Sequence, residues 1–193
     1  MPTQSQDSLR LFYALWPDAG TRTDLMQLQY PLHGRKSPYE NLHITLAFLG
    51  PQPSALLPVL KDILTQLPAA AMTLTIDRVG YFNRNRIAWA GMHAVPERLL
   101  GLQRDLVQTL TQHEIAFDNE TRFKPHITLA RDATLPPDIL FTPITWRANQ
   151  AALVQSVTGP DGPRYEVLAM RSLDEVLWSQ DERGPNSAID SAA

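Results

Sequence analysis

His43-Ile44-Thr45-Leu46-Ala47 and His126-Ile127-Thr128-Leu129-Ala130 are the same five letters occurring twice in one chain of 193 residues. A five-residue identity is improbable by chance at this length, so the pair reads as an internal repeat. Each copy predicts a β-strand. The β-branched Ile and Thr favour extended backbone, and the alternation sets His and Thr on one face with Ile and Leu on the other. The apolar face is expected in a core, with Ile44, Leu46, Phe48, Ile127 and Leu129. The other face carries an imidazole and a hydroxyl two residues apart on a rigid element. Two such strands facing each other gather two His and two Thr around one cleft.

The rest of the composition narrows the classes open to this chain. A hydrophobic content of 44% permits one sizeable domain or two small lobes with a shared interface. Cysteine is absent, which excludes a thiol nucleophile, a disulfide framework and a Cys-ligated metal, and suits a reducing compartment. The first ten residues, MPTQSQDSLR, lack the basic start and apolar run of a secretory signal, and no apolar run reaches membrane-spanning length. A soluble, cytoplasmic protein with no membrane partner is expected. Net charge is −3, so the bulk electrostatics do not describe a protein that coats duplex nucleic acid. An RNA partner would have to be held locally, at one terminus or one phosphate.

Outward from the repeats, residues 10–15 predict a first strand, and Asp18 caps a helix over about 19–30. Residues 32–40 read as a loop. The first repeat strand, 42–48, is expected to end at the turn signal Leu49-Gly50-Pro51. Ser54 is then an N-cap for a helix whose Leu56, Leu57, Leu60, Ile63, Leu64 and Leu67 recur at helical spacing. Strands are expected at 72–79 and 86–92, joined through 80–85, and a long helix from Pro96 and Glu97 to about 113. The second repeat strand spans 122–130. A strand region near 144–157, a turn over 158–163 and a last strand at 164–169 complete the series. Helices followed by antiparallel hairpins favour an α+β domain of two similar lobes over 8–178, with a disordered tail over 179–193. No Gly-rich phosphate loop is present, so a nucleotide-triphosphate cofactor has no support.

A phosphate diester lying between the repeats would meet the groups its hydrolysis needs. The displacement is in-line, so a base acts on one side and an acid on the other, and one imidazole per lobe supplies both. An ordinary imidazole pKa near ~6.5 suits either task. The hydroxyls of Thr45 and Thr128 can hydrogen-bond the non-bridging oxygens. A strained 2′,3′-cyclic phosphate needs no metal in such a site. Metal ligation is weaker, because neither an HxxxH spacing nor an Asp or Glu falls within the repeats. Arg131, which closes the second repeat, is a candidate phosphate clamp. Arg35, Lys36, Arg84, Arg86 and Lys124 are lesser candidates, each read first as a surface charge. Phe12, Tyr13 and Trp89 could stack a base but read first as packing. His33, His93 and His113 read as structural or without a role.

Asn41-Leu42-His43-Ile44-Thr45-Leu46-Ala47-Phe48-Leu49-Gly50 and Phe123-Lys124-Pro125-His126-Ile127-Thr128-Leu129-Ala130-Arg131 resemble the paired HxTx signatures of the two-histidine (2H) phosphoesterases. In particular they are similar to the bacterial RNA 2′,3′-cyclic phosphodiesterase family, also described as 2′-5′ RNA ligases. The similarity takes in Arg10 to Leu15 and Arg86-Ile87-Ala88-Trp89-Ala90-Gly91, and so most of residues 9–170. It implies a bilobal α+β fold with pseudo-two-fold symmetry, no cofactor, and hydrolysis of the 2′,3′-cyclic phosphate at RNA 3′ ends to a 2′-phosphate. Carried over by position, His43 is the proton donor and His126 the proton acceptor, while Thr45, Thr128 and Arg131 hold the phosphate. The chain departs from the family after Tyr165 and Leu168, where Ala169-Met170-Arg171-Ser172-Leu173 replaces a more basic, Trp-containing end. Two other functions fit the same groups: joining RNA halves by a 2′-5′ linkage, and binding RNA ends without turnover. A monomer is expected, because a two-lobed cleft completes the site within one chain.

Overall fold

Strand β3 (Ile44–Pro53) and strand β7 (Ile127–Arg131), the two repeats, lie side by side at the centre of one eight-stranded sheet in the computed structural model. The structure describes residues 7–119, 122–160 and 162–174. On one side of β3 follow β1 (Ser8–Leu15), β9 (Gln150–Gly159) and β10 (Gly162–Ser172). On the other side of β7 follow β6 (Ile87–Gly91) and β5 (Arg78–Phe82), and the short β2 (Arg35–Lys36) pairs with the end of β7. All neighbours are antiparallel. Each half thus places one repeat strand innermost, which is the two-lobed α+β arrangement. β3 and β7 pair only at Ile44 and Ile127, so the halves diverge from that contact and leave a cleft.

One face of the sheet is covered by α1 (Ala19–Gln27), α2 (Leu57–Thr65), α3 (Glu97–Gln112) and a two-stranded ribbon of β4 (Met72–Ile76) with β8 (Ile144–Ala148). The stripes read from the sequence are buried there: Leu60, Ile63 and Leu64 of α2, and Leu99, Leu102, Leu106 and Leu110 of α3. Asp18 caps α1 as expected, accepting from the Thr21 N–H at 2.9 Å. No helix among the described residues is long and apolar enough to cross a membrane.

The structure corrects several boundaries. α1 stops at Gln27, and residues 28–31 leave in tight turns. Ser54 opens a single 3₁₀ turn with no side-chain cap bond, and α2 begins at Leu57. β3 does not turn at Gly50-Pro51 but continues beside β1 to Pro53. Gly50 is in the left-handed region (φ +65°) beside a bulge, and the far half of β3 has no partner on its other edge, where proline's missing N–H costs nothing. The single strands expected at 72–79 and 144–157 each divide at one residue. Asp77 separates β4 from β5, and Asn149 separates β8 from β9, so each chain segment passes from the ribbon into the main sheet. Both dividing residues are held by groups distant in sequence. Asp77 accepts from the His93 N–H (2.8 Å), and Asn149 Nδ2 donates to Asp174 (2.9 Å). The β5–β6 turn falls at 83–86, and β10 is longer than the predicted 164–169. Residues 122–126 belong to no strand, and β7 begins at Ile127. The tail expected over 179–193 lies outside the described residues.

Candidate active site

His43 and His126 each stand one residue before a repeat strand, flanking the Ile44–Ile127 pair. Continuing that antiparallel register by one residue in each direction sets His43 opposite Thr128 and Thr45 opposite His126. In a regular antiparallel ladder such opposed residues have Cα atoms about 4.5–5.5 Å apart. Two imidazoles and two hydroxyls therefore form a four-cornered group related by a pseudo-two-fold through the isoleucines. All four line a cleft of about 680 Å³, and so does Arg131. Ile44, Leu46, Ile127 and Leu129 are at most 2% exposed on the opposite face, as the alternation required.

Both repeats then break that alternation at the same letter. In β3 the register with β1 skips Leu46, and in β7 the register with β6 skips Leu129. Each bulge turns the strand, so that both Leu and the following Ala are buried and the sixth residue returns to the cleft side. That sixth residue is Arg131 in one half and Phe48 in the other. Strict alternation would have pointed Arg131 toward the core. Phe48, expected in the core, is 50% exposed and lines the cleft.

The imidazoles are held in one orientation by identical means. The Nδ1–H of His43 donates to the Asn41 carbonyl at 2.6 Å, and that of His126 to the Lys124 carbonyl at 2.7 Å. In both cases the acceptor lies two residues upstream, so the repeat extends to its backbone contacts. With Nδ1 so engaged, Nε2 is the basic nitrogen of each neutral imidazole. Thr45 Oγ1 lies 2.9 Å from His43 Nε2 and donates to it when the imidazole is neutral.

The surroundings differ between halves. The His43 ring packs against Phe12 (centroids 4.9 Å apart), stacks on Trp16 (5.9 Å, 23°) and meets the edge of Tyr165 (5.3 Å). Behind Trp16, at 4.7 Å, sits the guanidinium of Arg22, which is 5% exposed and bound to the carbonyls of Pro17 (3.0 Å) and Tyr39 (2.7 Å). His126 meets Phe82 edge-on (5.0 Å) and Trp89 at 6.4 Å. Burial pushes the His43 pKa down to about 4. Its Asn41 hydrogen bond opposes this, and the charges of Arg22, His126 and Arg131 add to it. Burial also lowers the His126 pKa, with Arg131 contributing and the Lys124 carbonyl opposing. Both shifts favour the neutral imidazole, most strongly at His43.

The remaining candidates separate cleanly. Tyr13 is fully buried on the other face, its hydroxyl donating to the Leu60 carbonyl (2.7 Å), and takes no part in the cleft. Phe12 is buried behind His43, and Trp89 is half-buried beside His126. Arg35, Lys36 and Lys124 line the cleft. Arg35 reaches it because Gly34 (φ +120°) lets its chain approach β7 closely: a Cβ on Gly34 would lie 2.7 Å from the Arg131 carbonyl. Arg84 and Arg86 sit at the β5–β6 turn, where Arg86 donates to the Asp132 carbonyl at 3.3 Å. His113 caps the C-terminus of α3, and exposed His93 pairs with Asp77 at 3.1 Å. Tyr165, Phe82, Trp16 and Arg22 carry no local sequence signal for a place around the imidazoles. The carbonyls of Asn41 and Lys124 do, in their shared spacing to the two His.

Trp89 owes its position to Gly80, its partner across β5–β6, where a Cβ would collide with the indole. Gly80→Ala is expected to cost about 1–3 kcal/mol through overpacking, read as a drop of several degrees in Tm. Because the indole backs His126, kcat is expected to fall as well. An unchanged Tm would show that the strand accommodates the methyl group.

A pair of imidazoles on adjacent strands, with a threonine two residues after each and an arginine lining the same cleft, is the arrangement expected from the paired HxTx signatures of the two-histidine phosphoesterases. Residues 17–159 match the 2′-5′ RNA ligase superfamily. The RNA 2′,3′-cyclic phosphodiesterase of Thermus thermophilus is 33% identical over 193 residues, which cover 92% of this chain and 96% of that one. The protein of the same name from Escherichia coli is 33% identical over 136 residues, 66% of this chain and 77% of its own. Among solved structures, E. coli LigT in its apo form matches with a TM-score of 0.75 at 27% identity, over 88% of this chain and 99% of that one. The chain belongs to the 2′-5′ RNA ligase superfamily, within its RNA 2′,3′-cyclic phosphodiesterase family, and is an enzyme of the phosphodiesterase class.

Proposed function

We propose that the protein hydrolyses the 2′,3′-cyclic phosphate at RNA 3′ ends to a 2′-phosphate, without a metal, by proton exchange through two imidazoles. The observation that carries this reading is the four-cornered group of His43, Thr128, Thr45 and His126 around one cleft. A phosphorus atom placed between the strands has an Nε2 on either side, as in-line displacement demands. His126, neutral and oriented by Lys124, takes a proton from water as its oxygen bonds to phosphorus. The P–O3′ bond breaks and the departing oxygen takes a proton from His43 Nε2, while the P–O2′ bond stays intact. Arg131 and the two threonine hydroxyls hold the non-bridging oxygens and stabilise their growing charge.

His43 is neutral before substrate arrives, so it must acquire the proton it gives away. The negative phosphate supplies the reason: placed beside the imidazole, it favours the charged form that burial disfavours. Proton uptake and substrate binding are then one event. If the 5′-hydroxyl of another RNA enters in place of water, the same step yields a 2′-5′ linkage.

The test is a short RNA ending in a 2′,3′-cyclic phosphate, incubated with the purified protein and excess chelator. The expected product gains the mass of one water and loses its phosphate to a phosphatase, with the phosphate mapped to the 2′ oxygen. A 3′-phosphate would overturn the assignment of the leaving oxygen, and loss of turnover under chelation would overturn the metal-free mechanism.

A further inference from the structure

The two imidazoles stand in identical five-residue repeats, so any division of labour between them has to come from what surrounds each ring. Both halves set a tryptophan beside the imidazole and a guanidinium over that tryptophan. Arg22 lies over Trp16 at 4.7 Å, and Trp16 stacks on His43. Arg78 lies over Trp89 at 5.1 Å, and Trp89 meets His126 at 64°. The halves differ in where the charge resides. Arg78 is exposed on β5, where water screens it, whereas Arg22 on α1 is buried.

Arg22 takes its charge into the interior without a carboxylate in contact. It donates to the carbonyls of Pro17 and Tyr39, and among the described residues its Nη2 has no hydrogen-bond partner and no ion pair includes it. Asp18 and Glu40 act on it through their charge alone, and the Asp18 carboxylate is bonded to Thr21. A cation buried with such incomplete compensation destabilises the fold, which a purely structural cross-link has no need to do. Two links run from this guanidinium to His43. One is the Trp16 indole. The other is the 3₁₀ turn Tyr39–Asn41: Arg22 holds the carbonyl of its first residue, and the carbonyl of its last accepts from the His43 Nδ1–H.

We propose that Arg22 is a positioning residue that makes His43 the proton donor of the pair, by fixing the orientation of the ring and holding a buried positive charge beside it. The inference rests on the hydrolase reading and assigns the direction of proton transfer within it. In a surrounding closed to water, the guanidinium acts on His43 with little screening and disfavours the imidazolium. Once the substrate's anion has drawn a proton onto that ring, the proton leaves for the departing oxygen more readily than from an ordinary imidazolium. The other groups facing His43 do not separate the two rings in this way. Arg131 acts on both imidazoles, His126 is the other member of the pair, Tyr165 meets the ring by its edge, and Phe12 and Thr45 carry no charge. Arg22 acts on His43 and not on His126.

The experiment is an NMR titration of the imidazoles in the unliganded wild type, Arg22→Gln and Arg22→Lys, with Tm as the control for folding. In the wild type His43 is expected to titrate below His126. Arg22→Gln keeps a side chain that can bond a carbonyl but removes the charge, so the proton affinity of His43 is expected to rise about three- to tenfold. That of His126 should stay within about twofold, and Arg22→Lys, which keeps the charge and loses the planar fork, should leave His43 within about twofold of wild type. The pH dependence of kcat on a 2′,3′-cyclic phosphate is measured in parallel. Its alkaline limb, set by the donor in the enzyme–substrate complex, should move to higher pH in Arg22→Gln and stay in place in Arg22→Lys. His43 titrating at or above His126 in the wild type would overturn the proposal without any variant. So would an unaltered His43 titration in Arg22→Gln, or an Arg22→Lys protein that behaves like Arg22→Gln, since a latch on two carbonyls alone fails equally in both. Absence of turnover in the wild type ends the hydrolase reading, whereas the titrations need no turnover and still decide whether Arg22 separates the two imidazoles.

Discussion

Replacing His126 by glutamine is expected to lower kcat/KM on a cyclic phosphate end by about 10²–10⁴-fold, and His43→Gln by a similar factor. Glutamine keeps a polar group that can still bond the upstream carbonyl, Lys124 or Asn41, so the strand mouth should survive. It cannot take a proton from water or give one to the departing oxygen. The two losses should not add. Once either half of the exchange is missing, the other imidazole has no complementary partner, and the double variant is expected to be little worse than the single ones. Thr45 should not rescue the His43 variant, because its hydroxyl meets Nε2 as a neighbour and has no pKa near the working range. The measurement is kcat/KM for the wild type, both single variants and the double variant, with Tm as the control for folding. Activity within about tenfold of wild type in either single variant would rule out the two-histidine mechanism.

Acidification from pH 7 to pH 4 is expected to destabilise the protein by up to about 3 kcal/mol through His43 alone. The unfolded imidazole titrates near ~6.5, whereas burial holds the folded one to about 4. A depressed folded pKa means that the stabilising contribution is complete above the unfolded value. It is lost as pH falls from about 6.5 through about 4. His126 shifts in the same direction and adds to the loss. The lowered carboxylates of Asp18 and Asp77 act in a separate window, below the ordinary carboxylate range near ~3.9. Urea unfolding at a series of pH values checks this. His43→Gln should flatten the stability curve between pH 6.5 and 4 while leaving the steeper fall below it. An unaltered slope in the variant would show that His43 titrates normally in the folded state.

The same depression predicts proton uptake on binding. A nucleotide 2′-phosphate placed between the imidazoles at pH 7 should draw close to one proton onto His43, and the binding enthalpy should then depend on the ionisation enthalpy of the buffer. His43→Gln should abolish that buffer dependence.

The duplicated five-letter stretch determined by itself that His and Thr share one face of each repeat strand and that Ile44, Leu46, Ile127 and Leu129 lie in the core beneath them, and the order of helices and hairpins along the chain determined two similar α+β halves. These properties are local or periodic. Side-chain alternation, β-branching and leucine spacing act within a few residues and need no knowledge of the neighbouring strand. Where alternation is interrupted, a single sequence carries no mark. The bulges at Leu46 and Leu129 exist because β1 and β6 pair in a register that skips one residue, and they return Phe48 and Arg131 to the cleft. Asp77 and Asn149 divide apparently continuous strands because His93 and Asp174, distant in the chain, hold them. The depression of the His43 pKa depends on Phe12, Trp16, Tyr165 and Arg22, which come from three other elements and the turn between them. Only the tertiary structure decided these points, because each is a relation between segments far apart in sequence: a strand register, a long-range hydrogen bond, or the shape of the dielectric around a charge.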